Sequence, residues 1–302
     1  MIDTVGLSAP LGGLELGDLE RKGWSSRTTR VNRGDEVQER HKAFTTLENG
    51  VTLEWLESVG YLTVRGSLPR VLGFQNDRVL TWPETVRALA IMTGEVAPEL
   101  TGRHLPGLET WGTWRLDPCW SWPCDPRPYI DACRAARFPR TEAVAEPTGV
   151  RWRSMRSGTI TGRLYDKSAE QGREVPLPCR FERQLRPKRR VVRARGKRMT
   201  GKLGDLTEAD CLALLGEGLH TLGLDRPVPS LTAARRQLIA YHGGRRGANL
   251  SAELAARAQN GGHWPADLSA SKRCRIERQV AEAGIVSLSL EGELDPLTIE
   301  GV

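Results

Sequence analysis

A tyrosine between two cations is the first candidate for chemistry in this chain. The segment 163-RLYDKSAE-170 places Tyr165 two residues from both Arg163 and Lys167, in a chain that has only four tyrosines. A buried structural tyrosine would be expected among apolar neighbours. A tyrosine hydroxyl has an ordinary pKa of about 10, so it needs a base, a nearby cation or a metal to attack phosphorus near neutral pH. Tyr165 is therefore a candidate nucleophile.

Strand periodicity predicts which side chains share a face with Tyr165. Successive side chains of a β-strand point to opposite faces of the sheet. In 158-GTITGRLYD-166 the apolar Leu164 lies on one face, and Arg163, Tyr165 and Lys167 lie together on the other. The tyrosine is thus predicted on the charged face of its strand.

Two further strand-like segments carry a carboxylate next to an arginine. Arg115 and Asp117 flank a leucine, Arg180 and Glu182 flank a phenylalanine, and alternation predicts that all four charged side chains point outward. Carboxylate oxygens bind Mg²⁺ or Mn²⁺, and such an ion would polarise a scissile phosphate. If the three strands pair in one sheet, a metal at Asp117 and Glu182, a tyrosine nucleophile and the cation of Lys167 suit phosphodiester transesterification.

The same pattern also has purely structural interpretations. A strand tyrosine on a polar face is usually a cross-strand packing residue. Arg-x-Asp and Arg-x-Glu on strands are commonly surface ion pairs worth about 0–1 kcal/mol. Periodicity alone leaves both interpretations open.

Positive charge is concentrated in one stretch of the chain. Residues 180 to 202 hold eleven Lys and Arg against one Glu, a local charge of +10 in a chain whose net charge is +7. A cationic segment of this kind indicates a polyphosphate partner, most often a nucleic acid, although a solvated basic loop is the simpler alternative. The residues that we predict to contact DNA are Arg115, Arg163, Arg180, Arg186, Lys188, Arg189, Arg190, Arg193 and Arg195.

Composition indicates a folded protein of one large or two modest domains. The chain has 302 residues, of which 39% are hydrophobic and 27% are charged. No apolar run approaches the roughly 18 residues of a membrane span, and the N-terminus lacks the pattern of a signal peptide, so we expect a cytoplasmic protein of the host cell. The six cysteines are scattered without a Cys-x-x-Cys pair, so we expect them to be reduced.

The elements predicted from periodicity change character along the chain. Strands are predicted at 62–68, 112–122, 158–166 and 179–185, with a helix at 81–94. After residue 205 the pattern is helical. The sequence therefore predicts an α+β protein in which a catalytic domain with a mainly antiparallel sheet (1–204) precedes a smaller helical C-terminal domain (205–302).

Several of these segments resemble one family of replication proteins. The chain is similar to the gene II/X family, the rolling-circle initiators of filamentous phages and related plasmids. The resemblance is carried, in the family's order, by the opening MID, 64-VRGSLPRVLGFQN-76, 115-RLDPCWSW-122, 152-WRSMRSGTITGRLYDKSAE-170, 180-RFERQLR-186 and 271-SKRCRIERQVAEAGI-285.

The resemblance implies a site-specific, Mg²⁺-dependent enzyme that nicks and rejoins single-stranded DNA. Tyr165 would match the family's nicking nucleophile and Lys167 its lysine, while Asp117 and Glu182 would match blocks linked to metal-dependent chemistry. The enzyme would form a 5′-phosphotyrosyl link at a replication origin and would work with a host helicase and polymerase. The five histidines are isolated in sequence, so a His-x-His metal pair is not expected and the carboxylates would hold any metal.

Two other functions are compatible with the sequence. A replication-control protein that binds DNA without nicking it would keep the fold and the basic segment. An RNA-binding or ribosome-associated protein would share the basic segment, but it would give no account of Tyr165, Asp117 and Glu182.

Overall fold

The computed structural model describes residues 1–11, 13–33, 36–100, 105–134, 141–154, 160–186, 193–194, 197–198, 201–260, 264–290 and 292–299. The chain forms two compact units, each made of two segments. The first unit comprises Met1–Cys119 and Gln184–Cys211, and the second comprises Trp120–Arg183 and Leu212–Val302. These units interleave along the chain, so they differ from the division at residue 204 that the sequence predicts.

The first unit is built on an antiparallel sheet. Its strands lie in the order β2-β3-β4-β5-β1-β6. Its elements are β1 (Ile2–Pro10), α1 (Leu16–Arg21), β2 (Ser25–Arg33), β3 (Glu36–Thr46), β4 (Thr52–Leu56), β5 (Tyr61–Ser67), α2 (Leu68–Val71), α3 (Trp82–Glu99), β6 (Gly112–Trp122, of which the last three residues belong to the second unit), β11 (Arg193–Ala194) and β12 (Lys197–Arg198).

One face of this sheet is apolar and the other is polar. Val5 and Leu7 of β1 and Leu62 and Val64 of β5 are fully buried, while Thr4, Ser8 and Thr63 on the other face are partly exposed. Met92 of α3 packs on the apolar face beside Gly66. This alternation is expected of an antiparallel sheet with one covered face.

The second unit contains a four-stranded antiparallel sheet in the order β10-β9-β8-β7. Its strands and first helices are α4 (Pro126–Arg134), β7 (Thr141–Glu146), β8 (Gly149–Ser154), β9 (Ile160–Asp166), α5 (Lys167–Gln171) and β10 (Cys179–Arg183). The predicted strands at 158–166 and 179–185 correspond to β9 and β10. The predicted α+β class with a mainly antiparallel sheet is confirmed.

The predicted helical region follows in α6 (Glu208–Leu222), α7 (Leu231–His242), α8 (Gly244–Gln259) and α9 (Ala270–Glu282). Thr207 and Asp210 exchange hydrogen bonds at the start of α6, as their capping spacing predicts. Ile276 and Val280, four residues apart on one face of α9, are buried in a core shared with α7 and α8. Within the described part of the chain, no helix is long and apolar enough to cross a membrane.

Candidate active site

The pairing of β9 with β10 brings the predicted nucleophile onto the same sheet face as a predicted carboxylate. Tyr165 lies opposite Arg180, and Arg163 lies opposite Glu182. Directly opposed residues of an antiparallel pair share a face, and alternate residues of one strand do so too. The common face that alternation predicts for Arg163, Tyr165, Arg180 and Glu182 is therefore confirmed.

This charged face is buried, whereas the alternation predicts an outward-facing one. Tyr165 and Lys167 are each 1% exposed, Glu182 is 3% exposed and Arg180 is fully buried. Only Arg163 is appreciably accessible, with 23% of its side chain exposed. Periodicity identifies which residues share a face, but whether other parts of the fold cover that face is a tertiary property.

The Tyr165 hydroxyl donates a hydrogen bond to Oε1 of Glu182. The guanidinium carbon of Arg163 lies 4.5 Å from the centre of the tyrosine ring, and Nζ of Lys167 lies 5.6 Å from it. Cations at these distances are attracted to the face of an aromatic ring. A buried phenol thus has a carboxylate acceptor at its oxygen and two cations at its ring.

An ion-pair network compensates these charges. Arg163 lies 3.2 Å from Glu146, 3.6 Å from Glu170 and 3.9 Å from Glu182, measured between nitrogen and carboxylate oxygen. Lys167 pairs with Glu170. Burial acts to lower the pKa of Arg163, but Glu182 and the other nearby acids outweigh it and raise that pKa above its ordinary value. Arg163 is therefore held in its charged form.

The sequence reasoning missed Glu146 and Glu170. Glu170 follows Lys167 by three residues on α5, a helix that begins after Asp166, whose side chain accepts a hydrogen bond from the Ala169 backbone nitrogen at 3.0 Å. The i,i+3 spacing of Lys167 and Glu170 was a usable signal for their pair. Glu146 ends β7, two strands away from β9, which carries Arg163, and only the sheet order brings the two residues together.

Gly149 is required where β8 crosses behind Tyr165. It pairs directly with Tyr165, and an added methyl group would lie 2.5 Å from Cβ of Tyr165 and would overlap the Leu164 carbonyl oxygen. We expect Gly149→Ala to lower the free energy of unfolding by about 1–3 kcal/mol, because the backbone has to move to relieve the overlap. Urea denaturation followed by circular dichroism measures this change. The control is Gly244→Ala, where an added methyl group meets no atom within 4 Å; an equal loss there would contradict the steric explanation.

Asp117 lies in the first unit and is 1% exposed. Its Oδ2 accepts a hydrogen bond from Nε of Arg115 at 2.8 Å and a second from the same guanidinium group. Its Oδ1 is buried and has no hydrogen-bond partner among the described residues. Burial raises the pKa of this carboxyl, the hydrogen bonds from Arg115 oppose the rise, and the neighbouring Asp3 adds to it.

The described residues fit the predicted metal site only in part. They include no group of three or more histidine, cysteine, aspartate or glutamate side chains that could hold a metal ion. Oδ1 of Asp117 is a suitable oxygen ligand. Glu182, the other predicted ligand, instead accepts the hydrogen bond of Tyr165 and faces Arg163. The geometry therefore assigns Glu182 to the tyrosine.

The arginines predicted to contact DNA fall into three groups. Arg115 and Arg180 are buried, and Arg180 donates Nε to the Ser121 hydroxyl at 2.9 Å, so neither side chain is exposed in this conformation and their contacts with DNA stay a prediction. Arg186 is exposed and Arg163 is partly exposed, so both stay available. The structure gives the backbone of Arg193 in β11 without describing its side chain. The remaining four predicted contacts lie outside the described residues: Lys188, Arg189, Arg190 and Arg195.

Two cysteine sulfurs meet in the second unit. A hydrogen bond from Cys179 lowers the pKa of the half-buried Cys124, and the same contact together with burial raises the pKa of Cys179. The thiolate is the reactive form. We therefore expect iodoacetamide to alkylate Cys124 with a pH profile displaced toward lower pH, and Cys179→Ala to move that profile upward. Peptide mass spectrometry across a pH series measures this, with Cys211→Ala as the control; an unchanged profile in Cys179→Ala would contradict the assigned contact.

Comparison with known proteins gives limited similarity. No protein-family model and no curated protein matches the chain. Among solved structures, the chain is similar to a rolling circle replication initiator protein from Geobacillus stearothermophilus, at 12% sequence identity and a TM-score of 0.29, over 62% of this chain and 73% of that chain. The gene II/X resemblance accordingly stays a prediction, and the function of this chain has to come from the chemistry of its own site.

Proposed function

We propose that this chain is a rolling-circle replication initiator that nicks and rejoins DNA through Tyr165. The observation that carries the proposal is the hydrogen bond from the Tyr165 hydroxyl to the buried Glu182, beside Arg163 and Lys167. A nucleophile, a proton acceptor and two cations in contact are the parts that phosphodiester transesterification needs.

In the proposed reaction Glu182 is the general base. As the oxygen of Tyr165 forms a bond to phosphorus, its proton passes to the Glu182 carboxylate. The bond between phosphorus and the 3′ oxygen of the preceding nucleotide breaks, and that oxygen takes up a proton to become a free 3′-OH. The 5′-phosphate stays on Tyr165, and the same steps in reverse reseal a strand.

Arg163 and Lys167 have a distinct role toward the phosphate. Their charges would stabilise the negative charge that develops on the phosphoryl oxygens in the transition state. Arg163 is the better placed of the two to meet DNA, because its side chain is partly exposed while Lys167 is buried. A guanidinium also matches the paired oxygens of a phosphate.

The burial of Tyr165 adds a step before chemistry. Since the tyrosine is 1% exposed, its oxygen reaches a phosphorus atom only after neighbouring side chains move. Arg163 is held by three carboxylates, of which Glu146 is the nearest. We expect an incoming phosphate to replace Glu146 and Glu170 as partners of Arg163, which would draw the guanidinium outward and open the ring to DNA.

A divalent cation stays part of the proposal through Asp117. Its buried Oδ1, which has no hydrogen-bond partner among the described residues, would be the ligand in the first unit. A bound Mg²⁺ would neutralise part of the phosphate charge.

The positive charge of residues 180 to 202 and the exposed Arg186 would hold the DNA backbone, so affinity would fall as salt rises. Such contacts position DNA without reading its sequence.

A supercoiled plasmid that carries the DNA flanking the chain's own coding sequence tests the proposal. After incubation with Mg²⁺ or with EDTA, we expect nicked circles that carry covalently attached protein, and mass spectrometry of the digested adduct should locate the nucleotide on Tyr165. DNA that is retarded but uncut under every condition would contradict the proposal. It would favour the second candidate, a DNA-binding replication-control protein, which the basic segment alone supports.

A further inference from the structure

The hairpin of β2 and β3 extends beyond the rest of the first unit's sheet. β2 pairs with β3 along its whole length, from Ser25 opposite Phe44 to Arg33 opposite Glu36. The next strand, β4, pairs with β3 only over Lys42–Thr46. From His41 toward the hairpin's turn, the two strands therefore pair without a third strand. We call the hairpin from the Arg27–Lys42 pair to this turn the β2–β3 ribbon.

The described side chains of this ribbon are open to solvent on both faces. Every residue from Ser25 to Arg30 is exposed, as are Glu39 and Arg40 across from them. A two-stranded hairpin without a packed face is at best marginally stable in water. At about 3.4 Å per residue, the six paired positions from Thr28 to Arg33 span about 20 Å. A projecting ribbon of this length, whose described side chains form no buried apolar face, is suited to contact a partner.

The register separates charge between the two faces of the ribbon. On one face Arg30 pairs with Glu39 at 2.9 Å, and its charge is compensated. On the other face Arg27 lies directly opposite Lys42, and the next opposed pair brings in Arg40. Like charges directly opposite one another destabilise a hairpin. This second face, defined by Arg27, Arg40 and Lys42, is the cationic face.

Only one of the three cations on the cationic face has an acidic partner in the described structure. Lys42 lies 3.1 Å from Glu54 of β4. Arg27 and Arg40 make no ion pair with a described residue, and both are exposed. Two uncompensated guanidinium groups on a projecting ribbon are therefore available to an anionic partner.

The cationic face is continuous with the polar face of the sheet. Lys42 shares that face with Glu54, and strand pairing continues it to Arg65 of β5. Gly6 of β1 then lies between Arg65 and Arg115, in the register that also brings β1 to Asp117. Lys42, Arg65 and Arg115 thus lie along one face of the first unit, with Lys42 paired to Glu54 and the buried Arg115 paired to Asp117.

We propose that the β2–β3 ribbon binds duplex DNA in its major groove, with Arg27 and Arg40 on the phosphates. The major groove is about 12 Å wide and admits a two-stranded β-ribbon. Exposure of the described side chains suits this mode, because no described part of the first unit covers the ribbon, and the cationic face with Arg27 and Arg40 would meet the phosphates. The inference deepens the proposed function. It rests on that function for the identity of the DNA, which is the duplex next to the nick.

Fluorescence anisotropy with the full chain and a labelled 30-base-pair duplex of arbitrary sequence tests this inference. We expect Arg27→Gln and Arg40→Gln each to weaken binding about fivefold and to reduce the slope of log affinity against log salt by about 0.9. Arg30→Gln is the matched control, because it removes the same charge from the opposite face of the same strand; we expect less than a twofold change. Wild-type affinity in the cationic-face variants, or an equal loss in Arg30→Gln, would overturn the proposal.

Two further readouts separate this inference from its alternatives. Sizing by light scattering should give the same mass for the wild type and Arg27→Gln. A smaller mass for Arg27→Gln with unchanged duplex affinity would make the ribbon a contact between copies of the chain and overturn the proposal.

The covalent-adduct assay is independent of duplex binding. If the wild type forms no adduct while Arg27→Gln still loses duplex affinity, the ribbon inference stands and the nicking proposal fails. Circular dichroism melting confirms that each exposed substitution leaves the fold intact.

Discussion

Tyr165→Phe is expected to abolish covalent attachment to DNA and to reduce nicking by at least about 10³-fold, because it removes the attacking oxygen. Phenylalanine keeps the ring between Arg163 and Lys167. It leaves Glu182 without one hydrogen bond, a loss that costs about 1–3 kcal/mol of stability for a buried group. Duplex affinity should stay within about twofold of the wild type, because Tyr165 is buried and contributes little to the binding surface.

Tyr129→Phe is the matched control for this substitution. Tyr129 is also a buried tyrosine of the second unit, and its hydroxyl donates to the Asp295 carbonyl oxygen at 3.0 Å. Burial, together with nearby groups that include Cys124, raises its pKa to about 12, which makes it a poor nucleophile. We expect Tyr129→Phe to nick as the wild type does. Nicking that survives Tyr165→Phe and is lost in Tyr129→Phe would move the nucleophile away from β9.

Glu182→Gln should slow nicking by about 10²–10⁴-fold, the range attributed to general acid–base catalysis. Glutamine retains an oxygen that can accept the Tyr165 hydrogen bond, but it cannot take up the proton. Single-turnover rates on the plasmid substrate, measured with saturating protein, separate this loss from any change in affinity. Glu146→Gln is the control, because Glu146 pairs with Arg163 and Arg151 and is not the acceptor of the Tyr165 hydroxyl; we expect a change below tenfold.

The Glu182→Gln variant also discriminates between two roles for this carboxylate. If Glu182 acts as a base, raising the Mg²⁺ concentration leaves the rate of the variant low. If it acts as a metal ligand, as the family resemblance implies, the variant has a weakened metal site, and higher Mg²⁺ restores much of the rate by mass action. Recovery at high Mg²⁺ would therefore refute the assignment of Glu182 as the base.

Local patterns in the sequence predicted the elements well. The strand at 112–122 coincides with β6, and the helix predicted at 81–94 corresponds to α3, where Thr81 and Glu84 form the reciprocal cap. Capping residues and strand alternation act over a few residues, so the chain itself carries their signal. The same locality explains why the shared face of Arg163 and Tyr165 was predictable.

Residues from distant strands were harder to place. Glu146 reaches Arg163 only because β7, β8 and β9 are neighbours in the sheet, and Gly149 is required only because β8 passes next to Tyr165. The two-unit division interleaves segments that lie far apart in sequence. Strand order depends on the packing of the whole sheet, and no short window of residues encodes it.

The sequence by itself determined the α+β class, the concentration of positive charge near residue 190, and the grouping of Tyr165 with charged neighbours on one strand face. These properties follow from composition and from side-chain alternation along single strands. Only the tertiary structure decided that this face is buried, that Glu182 accepts the tyrosine hydroxyl, that Arg115 and Arg180 are enclosed, and that the β2–β3 ribbon projects with a cationic face. Burial and cross-strand contact depend on which segments pack together, and that choice is made by the fold as a whole.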